Sequence, residues 1–258
     1  MTAPGSPLPQ WRLLEPLAAT PVSRTWKVMA KVAAGEQFAV LRIDEPGARR
    51  LGLDRHAEPG VLRSAAAAGL GPPVLHADAD RGLLLTGWLP GQVWTAADLN
   101  DPGNLERAAA LLRRLHATPL PAPVVDLGDA IARYAAVAGP PCADLALRAH
   151  RQLARSLSAE TEPLCFCHND PTPGNFIALQ GGDLRLIDWE YAGLCYRGFD
   201  LAGLAVGAGL ATDQVRRLLT AYRGRPPTPV ECDRHRSWEV LCRTVGRLWQ
   251  AALGARPN

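Results

Sequence analysis

The chain has 258 residues, 47% of them apolar and 21% charged, enough to bury a sizeable core and to exclude wholesale disorder. Lys and Arg total 28 against 25 Asp and Glu, a net charge of +3 that is too mild to argue for nucleic acid or a membrane surface. Length alone fits one large domain or two small ones. Only Lys27 and Lys31 are lysines, an arginine bias that reads as genomic composition. The first ten residues carry no secretory pattern, and the apolar stretch at 201–211 is too short to cross a bilayer. Cys142, Cys165, Cys167, Cys195, Cys232 and Cys242 show no disulfide framework, so reduced thiols in a cytoplasm are expected.

Residues 26–31 and 37–43 are β-prone runs joined by Ala33-Ala34-Gly35-Glu36, a hairpin signal. Residues 61–68 are helical in composition and stop at Gly69, with Pro59-Gly60 limiting where the helix begins. A second strand pair is predicted over 73–77 and 82–88. Asp101-Pro102 reads as a helix cap, followed by Leu105, Ala108, Ala109, Leu112, Leu115 and His116 on one face. Further helices are predicted at 147–157, around 215–222 up to Gly224, and from Trp238 to Trp249. Strands at 164–167, 176–179 and 184–187 interrupt them, with Gly181-Gly182-Asp183 as a tight turn. The expected fold is α+β in two lobes: a small β-rich N-terminal lobe (1–88) and a larger, mainly helical C-terminal lobe (89–258).

The chemistry concentrates in Cys167-His168-Asn169-Asp170-Pro171-Thr172-Pro173-Gly174-Asn175 and Leu186-Ile187-Asp188-Trp189-Glu190. If the hairpin closes at Gly181-Gly182, the oxygens of Asp170, Asn175 and Asp188 gather at one of its ends. Asp and Asn oxygens are hard ligands suited to Mg²⁺. A free carboxylate beside such a pair is what phosphoryl transfer from a nucleotide requires, because it orients the acceptor hydroxyl. Asx-rich turns alone would explain the residue types, but not their ordered companions along the chain.

This pattern resembles the catalytic and metal-binding loops of the aminoglycoside phosphotransferase and choline kinase superfamily, small-molecule kinases with a protein-kinase-like fold. The run Leu186 to Gly193, with Phe199-Asp200-Leu201-Ala202, most resembles the choline/ethanolamine and thiamine kinase branch. Asp54-Arg55-His56-Ala57-Glu58, Gly69-Leu70-Gly71-Pro72 and Leu89-Pro90-Gly91 follow in the expected order, so the resemblance covers roughly 20–250. It implies Asp170 as catalytic base, His168 as the histidine that braces its loop, Asn175 and Asp188 as Mg²⁺ ligands, and Asp200 as the anchor of the catalytic loop. It implies Arg42 as the phosphate-binding cation of the small lobe, with Glu58 as its carboxylate partner. ATP is the implied nucleotide, its adenine held by the connector near Thr86, Trp88 and Leu89. The implied partner is a small alcohol such as choline, ethanolamine or thiamine, with an aminoglycoside or a sugar as the alternative. Neither nucleic acid nor membrane is expected, and oligomeric state is open.

Two features depart from the family pattern. No glycine stands between Leu17 and Lys27, so Ser23 and Arg24 are the candidates for side-chain contacts to phosphate. Pro59 puts Glu58 at the start of its helix and leaves its pairing with Arg42 open. For the acceptor, Trp189, Glu190, Trp238 and Trp249 are candidates, since aromatic faces and carboxylates attract a cation; core packing competes for both Trp238 and Trp249. Cys165 and Cys167 share one strand face and read as buried small residues, because no second ligand pair completes a zinc site. Two other classes fit: an inactive, nucleotide- or metabolite-binding relative, favoured by the glycine-free loop, and a metal-dependent hydrolase, which lacks a second His/Asp cluster.

Overall fold

The computed structural model describes residues 10–32 and 35–254. The expected turn at Ala33 and Ala34 and most of the N-terminal stretch lie outside the described residues. The N-terminal lobe is an antiparallel sheet of β1 (Gln10–Ala19), β2 (Ser23–Val32), β3 (Gly35–Asp44), β4 (Val74–Asp78) and β5 (Leu83–Gly87), in the order β1-β2-β3-β5-β4. Alternation buries Val28 and Ala30 of β2 and Ala39 and Leu41 of β3 against Leu85 of β5. β1 is absent from the sequence reading. It is an edge strand, exposed along nearly its whole length, and its register with β2 slips on either side of Pro16. Its strand character comes from pairing, not from an alternating pattern.

Between β3 and β4 lie α1 (Gly47–Arg50) and α2 (Glu58–Ala67). α2 begins three residues before the expected start. Pro59 occupies its first turn, where no N–H is needed, and Asp54 Oδ1 accepts the amides of His56 (3.1 Å) and Ala57 (2.9 Å).

The C-terminal lobe is helical around small sheets. Its elements are β6 (Gly91–Val93), α3 (Pro102–Ala117), α4 (Leu127–Ala138), α5 (Ala143–Ser158), β7 (Cys165–Cys167), β8 (Phe176–Leu179), β9 (Leu184–Leu186), β10 (Gly193–Cys195), α6 (Arg197–Ala208), α7 (Thr212–Arg223) and α8 (Pro229–Gly254). β6, β8 and β9 form one sheet, and β7 pairs with β10. Asp101 caps α3 through the Asn104 amide, and the predicted apolar face is the buried one. The structure adds α4, capped by Asp126, which buries only Leu127, Ile131 and Tyr134 among its twelve residues. It also adds β6 and β10, each too short to show a period.

One core joins α2, α3, α6 and α7 around β7, β8 and β9. A second lies under α4, α5 and α8, and it takes in Val22, Ala48 and Leu51 from the small lobe. Those contacts hold the β1–β2 turn and α1 against the helical lobe.

Candidate active site

β7 leads directly into the loop 168–175, and β9 leads into Asp188, so the two segments meet at one end of the β8–β9 hairpin. The Ile187 amide donates to Asn175 O at 2.9 Å and ties the segments together. Asn175 Nδ2 donates to Asp170 O (2.8 Å) and Asp170 Oδ2 (3.1 Å), leaving Oδ1 for other use. Asn169 and Asp188 adopt φ values of 65° and 64°, a left-handed backbone that short Asx side chains tolerate best.

Asp200, fully buried on α6, accepts the amides of His168 (2.9 Å, on Oδ2) and Asn169 (2.7 Å, on Oδ1). His116 of α3 places Nε2 3.0 Å from Asp200 Oδ2 and Nδ1 2.8 Å from the Tyr222 hydroxyl. Sequence reasoning gave His116 only a packing role; its position closing an apolar face conceals the polar contact. His168 is fully buried, and its Nε2–H donates to Ile187 O at 2.9 Å. Burial lowers its proton affinity, so it stays a neutral brace.

Asp170 and Asp188 lie in the cleft, Asp170 half-buried and Asp188 open to it. Desolvation pushes the Asp170 carboxyl up to about 8, with the charges of Asp188 and Glu190 adding and the Asn175 hydrogen bond opposing. Desolvation also raises Asp188, against the pull of Arg42 and Arg55. Neighbouring carboxylates that resist ionisation, beside an amide oxygen, form a hard donor set that a divalent cation would satisfy. The residues present therefore fit Mg²⁺.

Facing them, Arg42 of β3 grips Glu58 with two hydrogen bonds, Nη1 to Oε1 at 2.6 Å and Nη2 to Oε2 at 2.5 Å. Starting α2 at Glu58 is what aims this side chain at β3. Arg55 Nη1 donates to Glu58 Oε2 (3.0 Å) and to Glu190 Oε2 (2.8 Å), and Arg55 Nε lies 2.9 Å from Asp44 Oδ2. Arg42 completes the cluster, 3.7 Å from Glu190 and 3.4 Å from Asp44. The sequence reading missed Arg55 as a site residue, although its i, i+3 spacing to Glu58 was visible. Glu190, expected on the acceptor side, instead bridges to the two arginines of the small lobe.

In the glycine-free turn, Thr20 Oγ1 accepts the amides of Val22 (3.3 Å) and Ser23 (3.1 Å). Those donors are therefore used within the turn. Arg24 lies on the surface with Nε 2.6 Å from Glu45. Thr86 is buried in β5, the Trp88 amide donates to Phe38 O (3.2 Å), Lys27 Nζ lies 4.4 Å from the Trp88 ring, and Leu89 is half-buried.

The four acceptor candidates separate. Trp238 has no exposed surface; it packs on Tyr196 and Phe199 and donates to Glu160 at 3.0 Å. Trp189 is 2% exposed, stacked on Phe166, with Nε1 donating to Leu186 O. Both are core residues: Trp238 sits on the buried face of α8 and Trp189 is turned inward from the loop after β9, so neither presents a face to a ligand. Trp249 donates from Nε1 to the Tyr191 hydroxyl at 2.9 Å. Burial pushes the Tyr134 hydroxyl up to about 12 and the Tyr191 hydroxyl further, with the charges of Glu190 and Asp170 acting on both. Tyr191 follows Glu190 directly in the chain, and Trp249 is its hydrogen-bond partner, whereas Tyr134 is buried in the second core. Tyr134 went unseen because α4 did. Cys165 and Cys167 are buried with their sulfurs 3.6 Å apart, and His116 approaches them, the ligand atoms of all three lying within 4.8 Å.

The chain matches the model of the phosphotransferase enzyme family over residues 18–233. The rat choline/ethanolamine kinase is 45% identical over 49 residues, covering 17% of this chain and 12% of the relative. The chain thus aligns with about an eighth of that curated relative. A choline/ethanolamine kinase family protein of Mesorhizobium loti is 28% identical, with a TM-score of 0.72 over 91% of this chain and 77% of that one. The choline kinase LicA of Streptococcus pneumoniae shares the fold at 19% identity, with a TM-score of 0.73 over 93% and 86% of the two chains. With the family match spanning most of its length, the chain belongs to the phosphotransferase enzyme family.

Proposed function

We propose that this protein transfers the γ-phosphate of ATP, in a Mg²⁺-dependent reaction, to a hydroxyl of a small, cationic cytosolic metabolite of the choline, ethanolamine or thiamine kind. The observation that carries this reading is the convergence of Asp170, Asn175 and Asp188 on one end of the β8–β9 hairpin, opposite Arg42. Asn175 and Asp188 hold Mg²⁺, which when bound neutralises charge on the phosphates. Arg42, positioned by Glu58, binds phosphate oxygens through its guanidinium fork. Asp170 accepts the hydrogen bond of the acceptor hydroxyl and orients it for in-line attack. Connector groups near Thr86, Trp88 and Leu89 receive the adenine, and Ser23 and Arg24 border the phosphates.

The cationic preference rests on Tyr191 and Trp249, both only half-buried, Tyr191 next to Glu190 in the chain and Trp249 bonded to Tyr191, since aromatic faces and negative charge both attract an ammonium group. The experiment is a thermal melt with ATP, with and without Mg²⁺, for wild type and Asp188→Ala. Stabilisation that requires Mg²⁺ and disappears in the variant supports the reading. Equal stabilisation without Mg²⁺ supports an inactive nucleotide-binding relative instead.

A further inference from the structure

Beyond the Asp200 network lies a cavity of about 380 Å³ walled by Arg113, Arg197, Arg223 and Arg225, with His116 and Tyr222 in its lining. The residues come from α3, α6, α7 and the link between α7 and α8. Glu162 is the carboxylate of the wall. It lies 2.9 Å from Arg197 Nε and 3.1 Å from Arg223 Nη2. Glu231, outside the lining, lies 3.0 Å from Arg223 and 2.7 Å from Arg225. Arg113 reaches only Ala221 O, at 3.4 Å, and among the described residues no carboxylate stands within salt-bridge distance of it. Four guanidinium groups thus meet two carboxylates.

That surplus matches the charge of a phosphate dianion, close to −2 at neutral pH. Guanidinium forks are the side chains best shaped for phosphate oxygens. The volume sits at the low end for small-ligand sites, which suits a compact anion. We propose that this cavity binds a phosphate group, supplied by inorganic phosphate or a small phosphomonoester, and that its occupancy acts on the catalytic loop through His116. The route is short. The Tyr222 hydroxyl holds His116 Nδ1, His116 Nε2 meets Asp200, and Asp200 holds the amides of His168 and Asn169, immediately before Asp170. An anion that draws the Tyr222 hydroxyl reorients His116 and alters the grip on that loop.

The binding test does not depend on the kinase reading. Titration calorimetry would follow inorganic phosphate and, separately, glycerol 2-phosphate, against chloride at matched ionic strength. Wild type is compared with Arg113→Gln, a surface change that breaks no ion pair. The expected result is saturable binding that Arg113→Gln weakens about tenfold, the effect of losing one charge-assisted contact. Tighter binding of the ester points to a phosphorylated metabolite, and equal binding to inorganic phosphate. Hydrogen exchange of the 168–170 amides should change with phosphate in wild type and not in the variant. Absence of saturable binding, or equal binding by wild type and variant, overturns the site. Unchanged exchange on saturation overturns the coupling.

Discussion

Glu190, two residues beyond Asp188 in the helical lobe, accepts a 2.8 Å hydrogen bond from Arg55 of the small lobe. Arg55 reaches Glu58 as well, so the pair links the Arg42–Glu58 grip to the segment that carries Asp188. Arg55 is thereby the joint between the lobes at the cleft. Arg55→Met should leave Glu58, Glu190 and Asp44 short of positive charge and destabilise the fold by about 3 kcal/mol, as for one partner removed from a buried pair. Arg55→Lys should recover part of this. Urea unfolding of the three proteins measures it, and wild-type stability in Arg55→Met would contradict the joint.

Glu58 sets a pH dependence with a definite sign. Burial raises its carboxyl, but the Arg42 hydrogen bonds and the charges of Arg42 and Arg55 outweigh it and bring the group below its ordinary 4.5. A carboxyl lower in the folded than in the unfolded state stabilises the fold above the unfolded value. That stabilisation is lost as pH falls through the folded value. The stability gap between wild type and Glu58→Gln should therefore be largest above about pH 5 and shrink toward pH 3. Denaturation series across that range would read it, and a gap independent of pH would refute the assignment.

Asp200 touches no reacting group in the proposed mechanism, yet it holds two amides of the loop that presents Asp170. Asp200→Asn keeps the size and loses one acceptor. Misplacement of a reacting group on the ångström scale lowers rates by about a hundredfold. The expectation is a kcat reduced by that order, with KM for ATP nearly unchanged. A change confined to KM would argue for a direct role at the nucleotide.

The two tryptophans of α8 should behave differently. Trp238→Ala opens a hole in the core and should destabilise by about 3–5 kcal/mol. Trp249→Ala, which removes the ring beside Tyr191, should leave stability closer to wild type and raise KM for a cationic acceptor about tenfold. Differential scanning calorimetry with acceptor kinetics separates the two. Similar effects from both substitutions would remove the distinction.

The convergence of the segments 168–175 and 186–190 is legible in the sequence because their residues are close along the chain and the glycine turn at 181–182 dictates how they meet. The main strand pairs and α3 are legible because their alternation and caps are local. The Arg55–Glu190 bond is not, since its partners stand 135 positions apart and only the closing of the lobes brings them together. Trp238 and Trp249 share a helical stripe, and periodicity alone does not say which of them faces the core. β1 is hidden for the opposite reason: exposed along an edge, it has no buried face to leave a pattern. His116 looks like the last apolar position of α3, and only its contacts with Asp200 and Tyr222 reveal the polar network.

The most direct test of the account is ADP formation from Mg·ATP against choline, ethanolamine, thiamine, aminoglycosides and simple sugars, with Asp170→Asn beside the wild type. Turnover should depend on a cationic alcohol, with kcat in the variant reduced by about 10²–10⁴-fold, as for loss of a general base. Turnover that Asp170→Asn leaves intact would contradict the role of Asp170. Mg·ATP binding without turnover of any member of the panel would contradict the proposed acceptor class.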